Sequence, residues 1–221
     1  MAPYDKDKAH DYYSRVRTDL FRLVPNTATI RTVLDVGCGA GANAPAYREM
    51  GAVRICGVEL LPEAAAQARV LMDQVICGSI ESVDLPPDWQ RFDLIVCADV
   101  LEHLVRPDLV LQKLAARLQD RGLLLLSVPT IASVYGVYEI LVRRDFEYTE
   151  SGLFDATHLR FFTKRSVRRL LTSARLEPIL WGYPRLSRRF ALINLVFLGL
   201  FRDFLALQHY VLAKRGSSYG G

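Results

Sequence analysis

With 221 residues, 51% of them apolar, the chain has interior enough for one α/β domain and too little for two of ordinary size. A net charge of +4 does not mark a nucleic-acid binder, and the clustered Arg165, Arg168, Arg169 and Arg185, Arg188, Arg189 read as solvated helix faces. No apolar run reaches the ~20 residues of a membrane span, no basic-then-apolar leader opens the sequence, and four cysteines without a C-x-x-C read as reduced core residues of a cytoplasmic protein.

Residues 1–9 are polar. From His10 to Leu23 the positions Tyr13, Val16, Leu20, Phe21 and Leu23 recur three to four apart, which predicts a helix ending before Pro25. The stretch from Val33 to Ala42 follows. Apolar and β-branched positions lead into Gly37, Gly39 and Gly41 and then into alanine-rich sequence, the pattern of a buried strand turning tightly into a helix. By spacing it fits both G-x-G-x-G and, through Ala42, the G-x-G-x-x-G/A of dinucleotide-binding folds. Charge weighs on the choice, because Asp35, two residues before the first glycine, would repel a pyrophosphate seated there. Ala42 to Met50 reads as a short helix, Val53 to Glu59 as the second strand and Pro62 to Met72 as a helix with proline in its first turn. Glu59, twenty residues after Gly39, stands where an acid takes both hydroxyls of an adenosine ribose. A third strand and its exit run from Val75 to Glu81 through Gly78, Ser79 and Ile80.

Leu85-Pro86-Pro87 is a loop, Phe92 to Ala98 the fourth strand, Pro107 to Leu118 an amphipathic helix stopped near Gly122, and Leu123 to Val128 the fifth strand. Strands alternating with helices at this rhythm predict a parallel sheet with right-handed crossovers. Ligands then gather at the carboxyl ends of the strands, where Gly37, Glu59, Ser79 and Asp99 fall. Residues 130–163 form the least regular region. Aromatics there alternate with charge (Tyr135, Tyr138, Phe146, Tyr148, Phe154), as in a pocket wall, and a run from Asp155 to Thr163 follows; the competing expectation is a loop pinned by Asp155 and Arg160 to each other. Thr163 caps a helix through Val167, Leu170, Leu171 and Ala174; Pro178 to Tyr183 is strand-like; 188–204 is an apolar helical insert; Leu205 to Lys214 is a last strand; and 216–221 reads as a disordered tail.

Val33 to Gly41, taken with Phe92-Asp93-Leu94-Ile95-Val96-Cys97-Ala98-Asp99-Val100-Leu101-Glu102-His103-Leu104, resembles the class I S-adenosylmethionine-dependent methyltransferases. Within them it is most similar to the ubiquinone-biosynthesis-type branch and its bacterial glycan and natural-product relatives, from Tyr12 to Arg215. The resemblance implies one Rossmann-like domain over 1–215: a mostly parallel seven-stranded sheet with an antiparallel last strand and helices on both faces. It implies S-adenosylmethionine as methyl donor and S-adenosylhomocysteine as product. The cofactor would be lined by Asp35, Gly37, Gly39, Glu59, Leu60, Gly78, Ser79, Ile80 and Asp99, with Ser79 standing where the family usually has an aspartate on the adenine amino group. Residues 1–30 would either form a lid helix over the cofactor through Tyr12, Tyr13 and Arg15 or pack on the sheet edge.

The donor supplies most of the driving force for methyl transfer, so the protein must align two ligands, exclude water and, for a hydroxyl acceptor, remove a proton. His158, His103 and Asp155 are the catalytic candidates, with Asp155 orienting His158; Tyr135, Tyr148 and Arg160 are candidates for the acceptor. Related enzymes bind a divalent ion through an E-x-x-E-H run. This chain has Asp99, Glu102 and His103 there, a shorter first acid, with His158 as a candidate fourth ligand, and the reading takes no required metal. The expected activity is methyl transfer to oxygen of a small-molecule or glycan-like acceptor. Two alternatives stand beside it: a non-catalytic cofactor-binding subunit, and an NAD-dependent oxidoreductase, which Asp35 and the Asp99 to His103 run oppose. Residues 190–201 would pack on the sheet, pair two copies as a homodimer or touch a membrane surface.

Overall fold

The computed structural model describes residues 16–26, 28–89, 91–185, 198 and 200–216. The lid residues Tyr12, Tyr13 and Arg15 and most of the 188–204 segment lie outside them.

Seven strands form one sheet in the order β3-β2-β1-β4-β5-β7-β6. They are β1 (Thr32–Val36), β2 (Arg54–Glu59), β3 (Gln74–Cys77), β4 (Phe92–Ala98), β5 (Leu118–Pro129), β6 (Leu176–Gly182) and β7 (Gln208–Arg215). The pairs β1–β2, β2–β3, β1–β4 and β4–β5 are parallel, and β7 runs antiparallel between β5 and β6. The expected architecture is therefore present. Successive side chains leave a strand on opposite faces, and both faces are buried. Leu34, Val36, Ile95, Cys97, Leu124 and Leu126 pack on one side, whereas Val33, Leu94, Val96 and Leu125 pack on the other. Near-continuous apolar runs in β1, β4 and β5 follow from that double burial.

Helices cover the two faces: α1 (Thr18–Phe21), α2 (Ala44–Glu49), α3 (Pro62–Leu71), α4 (Pro107–Ala115), α5 (Val134–Val137), continued by a π-helical stretch over Tyr138–Arg143, then α6 (Lys164–Ser173) and α7 (Arg202–Leu205). Proline begins α3 and α4 at the position where its missing N–H costs nothing. α4 buries Val110, Leu111 and Leu114. α6 opens on a capping box in which the Thr163 side chain accepts from the Ser166 N–H and the Ser166 hydroxyl accepts from the Thr163 N–H.

Some boundaries differ from expectation. β5 begins at Leu118 rather than Leu123, because Leu118 pairs with Phe92 and the ladder then shifts register before Leu94 pairs with Leu123, so the Gly122 that read as a helix stop lies within a bulged strand. Of the predicted 10–23 helix, residues 16–23 are described, and only α1 among them is helical. Cys38, Cys56 and Cys97 are buried and unpaired as expected, but Cys77 is exposed on the edge strand β3. Among the described residues no helix is long and apolar enough to cross a membrane.

Candidate active site

β1 ends in a turn whose geometry glycine makes accessible. Gly37 has φ of +71° and Gly39 of +55°, and a Cβ on Gly37 would sit 2.7 Å from Val100 Cγ2. Glu59, at the end of β2, is 3% exposed and braces that turn: one carboxylate oxygen accepts from the Gly39 N–H at 2.8 Å and the other from the Leu61 N–H at 2.9 Å. Each oxygen keeps a second acceptor direction, which suits a pair of vicinal hydroxyls. Beyond β3, Gly78 donates its N–H to the Glu59 carbonyl at 2.8 Å, Ser79 Oγ accepts from the Glu81 N–H and Ile80 is buried, while Leu60 is exposed at the end of β2. These residues converge at the carboxyl ends of β1, β2 and β3.

Asp35 is placed differently from its expected role as a charge facing the ligand. It is 1% exposed, accepts from Tyr47 Oη at 2.7 Å, and burial pushes its pKa up to about 7 against the hydrogen bonds from Tyr47 and Asn43. The reason is β1 itself, whose two faces are both covered. Asp35 therefore supports the turn from within, and Asn43 joins it to the N-terminal segment by accepting from the Arg17 N–H at 3.1 Å.

Asp99, just past β4, has φ of +56°, a left-handed conformation that a non-glycine residue holds only when its surroundings impose it. One carboxylate oxygen accepts from Ser127 Oγ at 2.6 Å and Gln208 Nε2 at 3.0 Å, and the other pairs with the Arg17 guanidinium. Burial works against the charge of Arg17, but Asp99 and Tyr210 outweigh it and raise its pKa. Arg17 was missed in the sequence, where it is one arginine among several in the N-terminal stretch. The fold makes it a half of a cation–anion pair beside the glycine turn. Such a pair is complementary to an amino-acid zwitterion, so the cradle fits the methionine moiety of S-adenosylmethionine at one end and its ribose, at Glu59, at the other.

Past Asp99, a 3₁₀ turn (Leu101–His103) brings Glu102, His103 and, from the long loop, His158 together, with one ligating atom of each within 4.8 Å of the others. The loop is attached here because the Glu102 carbonyl accepts from the Leu159 and Arg160 N–H groups at 2.8 and 3.0 Å. His158 Nδ1 lies 3.0 Å from the Leu153 carbonyl, and His103 Nδ1 lies 3.2 Å from the Thr157 carbonyl. A carbonyl can only accept, so each Nδ1 carries a proton toward it, and in the neutral form of the ring the lone pair is left on Nε2. Burial, with His158 second, lowers the pKa of His103. Glu102 is 1% exposed, its Oε2 has no hydrogen-bond partner, and burial followed by Asp99 pushes its pKa well up. Two imidazoles and a carboxyl oxygen that has no hydrogen-bond partner thus converge. That set fits a divalent cation, which would displace the Glu102 proton, since imidazoles fixed through Nδ1 and an orphaned carboxyl oxygen are ligand types with their outer partners already in place. It gathers three of the four candidate ligands, Glu102, His103 and His158, whereas Asp99 is engaged by Arg17, Ser127 and Gln208.

Asp155 does not orient His158. Its Oδ1 accepts from the Thr157 N–H at 2.8 Å and from Thr157 Oγ1 at 2.6 Å, and the Leu153 carbonyl does the orienting instead. Nor does Asp155 pin Arg160, whose guanidinium donates to the Val105 carbonyl at 2.6 Å. That bond ties the loop to the segment after the 3₁₀ turn and uses one of the five guanidinium N–H donors. Tyr135 and Tyr148, 42% and 55% exposed, stand in an aromatic wall centred on Phe146, whose ring lies 5.4 Å from Tyr148, 5.0 Å from Phe154 and 5.4 Å from Phe161. Phe154 carries the wall to Tyr135 at 5.9 Å, and Phe161 carries it to His158 at 6.4 Å. The wall therefore ends on the histidine cluster.

A profile described as "Methyltransferase domain" matches residues 8–179. The chain is 28% identical over 137 residues to the ubiquinone biosynthesis O-methyltransferase of Glaesserella parasuis, covering 58% of this chain and 56% of that protein. It is 32% identical over 119 residues to the mitochondrial ubiquinone biosynthesis O-methyltransferase of Schizosaccharomyces pombe, covering 50% of this chain and 42% of that one. The chain thus spans about half the length of the curated relatives it matches. In fold it is similar to a methyltransferase of Haloferax volcanii solved in complex with the Trm112 methyltransferase activator, with a TM-score of 0.68 at 16% identity over 97% of this chain and 94% of that one. It is likewise similar to a SAM-dependent methyltransferase from Archaeoglobus fulgidus, with a TM-score of 0.66 at 16% identity over 94% of each chain.

Proposed function

The chain belongs to the methyltransferase domain family, as a class I S-adenosylmethionine-dependent methyltransferase, and from that premise we propose that it methylates an oxygen of a small-molecule or glycan-like acceptor. The observation that carries the acceptor atom is the Glu102, His103 and His158 cluster, lying between the end of β4 and the aromatic wall. A hydroxyl has a pKa far above neutrality, so its reaction gains from a neighbouring base, whereas a neutral amine would need no such group.

When bound, S-adenosylmethionine supplies a methyl group activated by its sulfonium. The chain's own residues do the rest. Glu59 receives the ribose hydroxyls while bracing the Gly39 N–H, and Arg17 and Asp99 take the carboxylate and ammonium of the methionine moiety. Tyr135, Phe146, Tyr148 and Phe161 offer flat apolar faces on which a ring, aromatic or sugar, is held in line. His158, whose Nδ1 is held by the Leu153 carbonyl, takes the hydroxyl proton on Nε2 as the methyl group arrives. A divalent ion would be held by Glu102, His103 and His158 and would acidify the same hydroxyl.

The test is transfer of label from methyl-labelled S-adenosylmethionine to a panel of phenols, catechols and glycosides, with amines as controls. Base-stable, ether-linked label on an oxygen acceptor, lost in His158→Ala with cofactor affinity retained, supports the reading. Label appearing on amines alone refutes it.

A further inference from the structure

Asp155 and Thr157 are left without a part in the reaction as described, yet they are bonded to it. Thr157 Oγ1 lies 3.1 Å from His103 Nδ1 and 2.6 Å from Asp155 Oδ1, and the Thr157 carbonyl lies 3.2 Å from the same Nδ1. A hydroxyl has one proton. If Thr157 gives it to the carboxylate, its oxygen accepts from the Nδ1–H, and His103 makes one forked bond to two acceptors of a single residue. If that proton turned toward His103, Nδ1 would have to accept it. The imidazole proton would then move to Nε2, and the lone pair that His103 offers the cluster with Glu102 and His158 would be lost.

We infer that Asp155 and Thr157 are positioning residues that hold the His103 proton on Nδ1 and so keep its Nε2 lone pair available to the Glu102–His103–His158 cluster. The inference rests on reading that cluster as the place where the acceptor is activated. Asp155 acts by holding the hydroxyl proton away from the ring; Thr157 acts through both oxygens. The same loop residue, Asp155, also accepts the Thr157 N–H, which fixes the carbonyl and hydroxyl together in front of His103. Outer partners of this kind fix the tautomer and aim of an imidazole. His158, one residue on, is set independently by the Leu153 carbonyl. It therefore serves as a control inside the same loop.

The experiment is long-range nitrogen–proton NMR of the imidazoles in ¹⁵N-histidine-labelled protein at mildly alkaline pH with chelator present, which reads the tautomer of each ring. Wild type should show Nδ1–H at His103 and at His158. In Asp155→Ala the ratio of Nε2–H to Nδ1–H at His103 should rise about tenfold or more, the loss of one charge-assisted hydrogen bond, while His158 is unchanged. Adding Thr157→Val to Asp155→Ala removes the competing donor and should return His103 to Nδ1–H through the Thr157 carbonyl that remains. Asp155→Asn keeps an acceptor and should leave the ratio at the wild-type value. An Nε2–H tautomer at His103 in wild type overturns the inference with no variant needed. So does an unchanged ratio in Asp155→Ala, or a double variant that fails to restore it. None of these spectra requires turnover, so a protein that methylates no hydroxyl would still answer the question.

Discussion

Removing the Glu59 side chain tests the cradle in two ways at once, because the carboxylate braces the turn and is the proposed partner of the ribose. In Glu59→Ala the Gly39 and Leu61 N–H groups lose acceptors at 2.8 and 2.9 Å in a place only 3% exposed. Hydrogen bonds to a charged group contribute about 1.5–3 kcal/mol each, and water entering the vacated space recovers part of that, so the expected loss of stability is about 3 kcal/mol. For a domain of this size that lowers Tm by roughly 6–12 °C. Two hydrogen bonds to the ribose are also lost, which should weaken S-adenosylhomocysteine by about 30- to 1,000-fold. Glu59→Gln should fall between, keeping one backbone acceptor and setting an amide NH₂ against the other N–H. Thermal unfolding without ligand gives the first quantity and calorimetric titration of the refolded variant gives the second. A Tm within about 2 °C of wild type would refute the bracing of the turn. Unchanged affinity at lowered Tm would put the nucleoside elsewhere.

Arg17→Ala, which leaves Asp99 without its cation, should weaken S-adenosylhomocysteine by about tenfold or more, and Arg17→Lys should restore only part, since a lysine lacks the second nitrogen that reaches Tyr210; equal affinities by calorimetry would contradict the zwitterion match. His158→Ala should cut turnover on an oxygen acceptor by ~10²–10⁴ at unchanged cofactor affinity, and a chelator should separate the two uses of the cluster, abolishing wild-type activity only where a cation is bound. For Asp35, burial raises the native pKa from 3.8 to about 7, so the folded chain binds more protons than the unfolded one between those values and stability falls as pH rises through that window. Asp35→Asn should flatten that fall, and urea midpoints that track wild type in parallel from about pH 5 to 8 would contradict it.

Much of this was legible from sequence where one local rule decides the outcome. The glycine turn, the position of an acid at the end of β2, the prolines opening α3 and α4 and the Thr163 cap are short-range chemistry, and each is placed as read. What failed was long-range. Asp35 was read as a charge in front of the turn because a motif gives order along the chain and says nothing of which face a side chain leaves by; its burial depends on Tyr47, twelve residues on. Arg17 carries no local signal, since its meaning comes from Asp99, eighty-two residues away. In the Asp99-x-x-Glu102-His103 run the first acid turned out to be occupied by Arg17, Ser127 and Gln208, three partners from three separate parts of the chain. The aromatic loop was recognisable by composition, but its docking on Glu102 uses backbone N–H groups that every residue has. The oxidoreductase alternative falls with the family itself.

The strand order has a consequence for biosynthesis. β7 is made after β6 yet sits between β5 and β6, pairing with both over most of its length. On the ribosome, β6 therefore emerges with no neighbour to join, and β5, whose residues Leu124, Leu125 and Leu126 become fully buried, holds an open edge until residues 208–215 have left the exit tunnel. Gln208, the first residue of that strand, is also a partner of Asp99. The stretch that seals the aggregation-prone edge and the one that completes the Asp99 hydrogen bonds are thus the same. Closure of the β5 edge and completion of the Asp99 hydrogen bonds are therefore one late step in the growth of the chain.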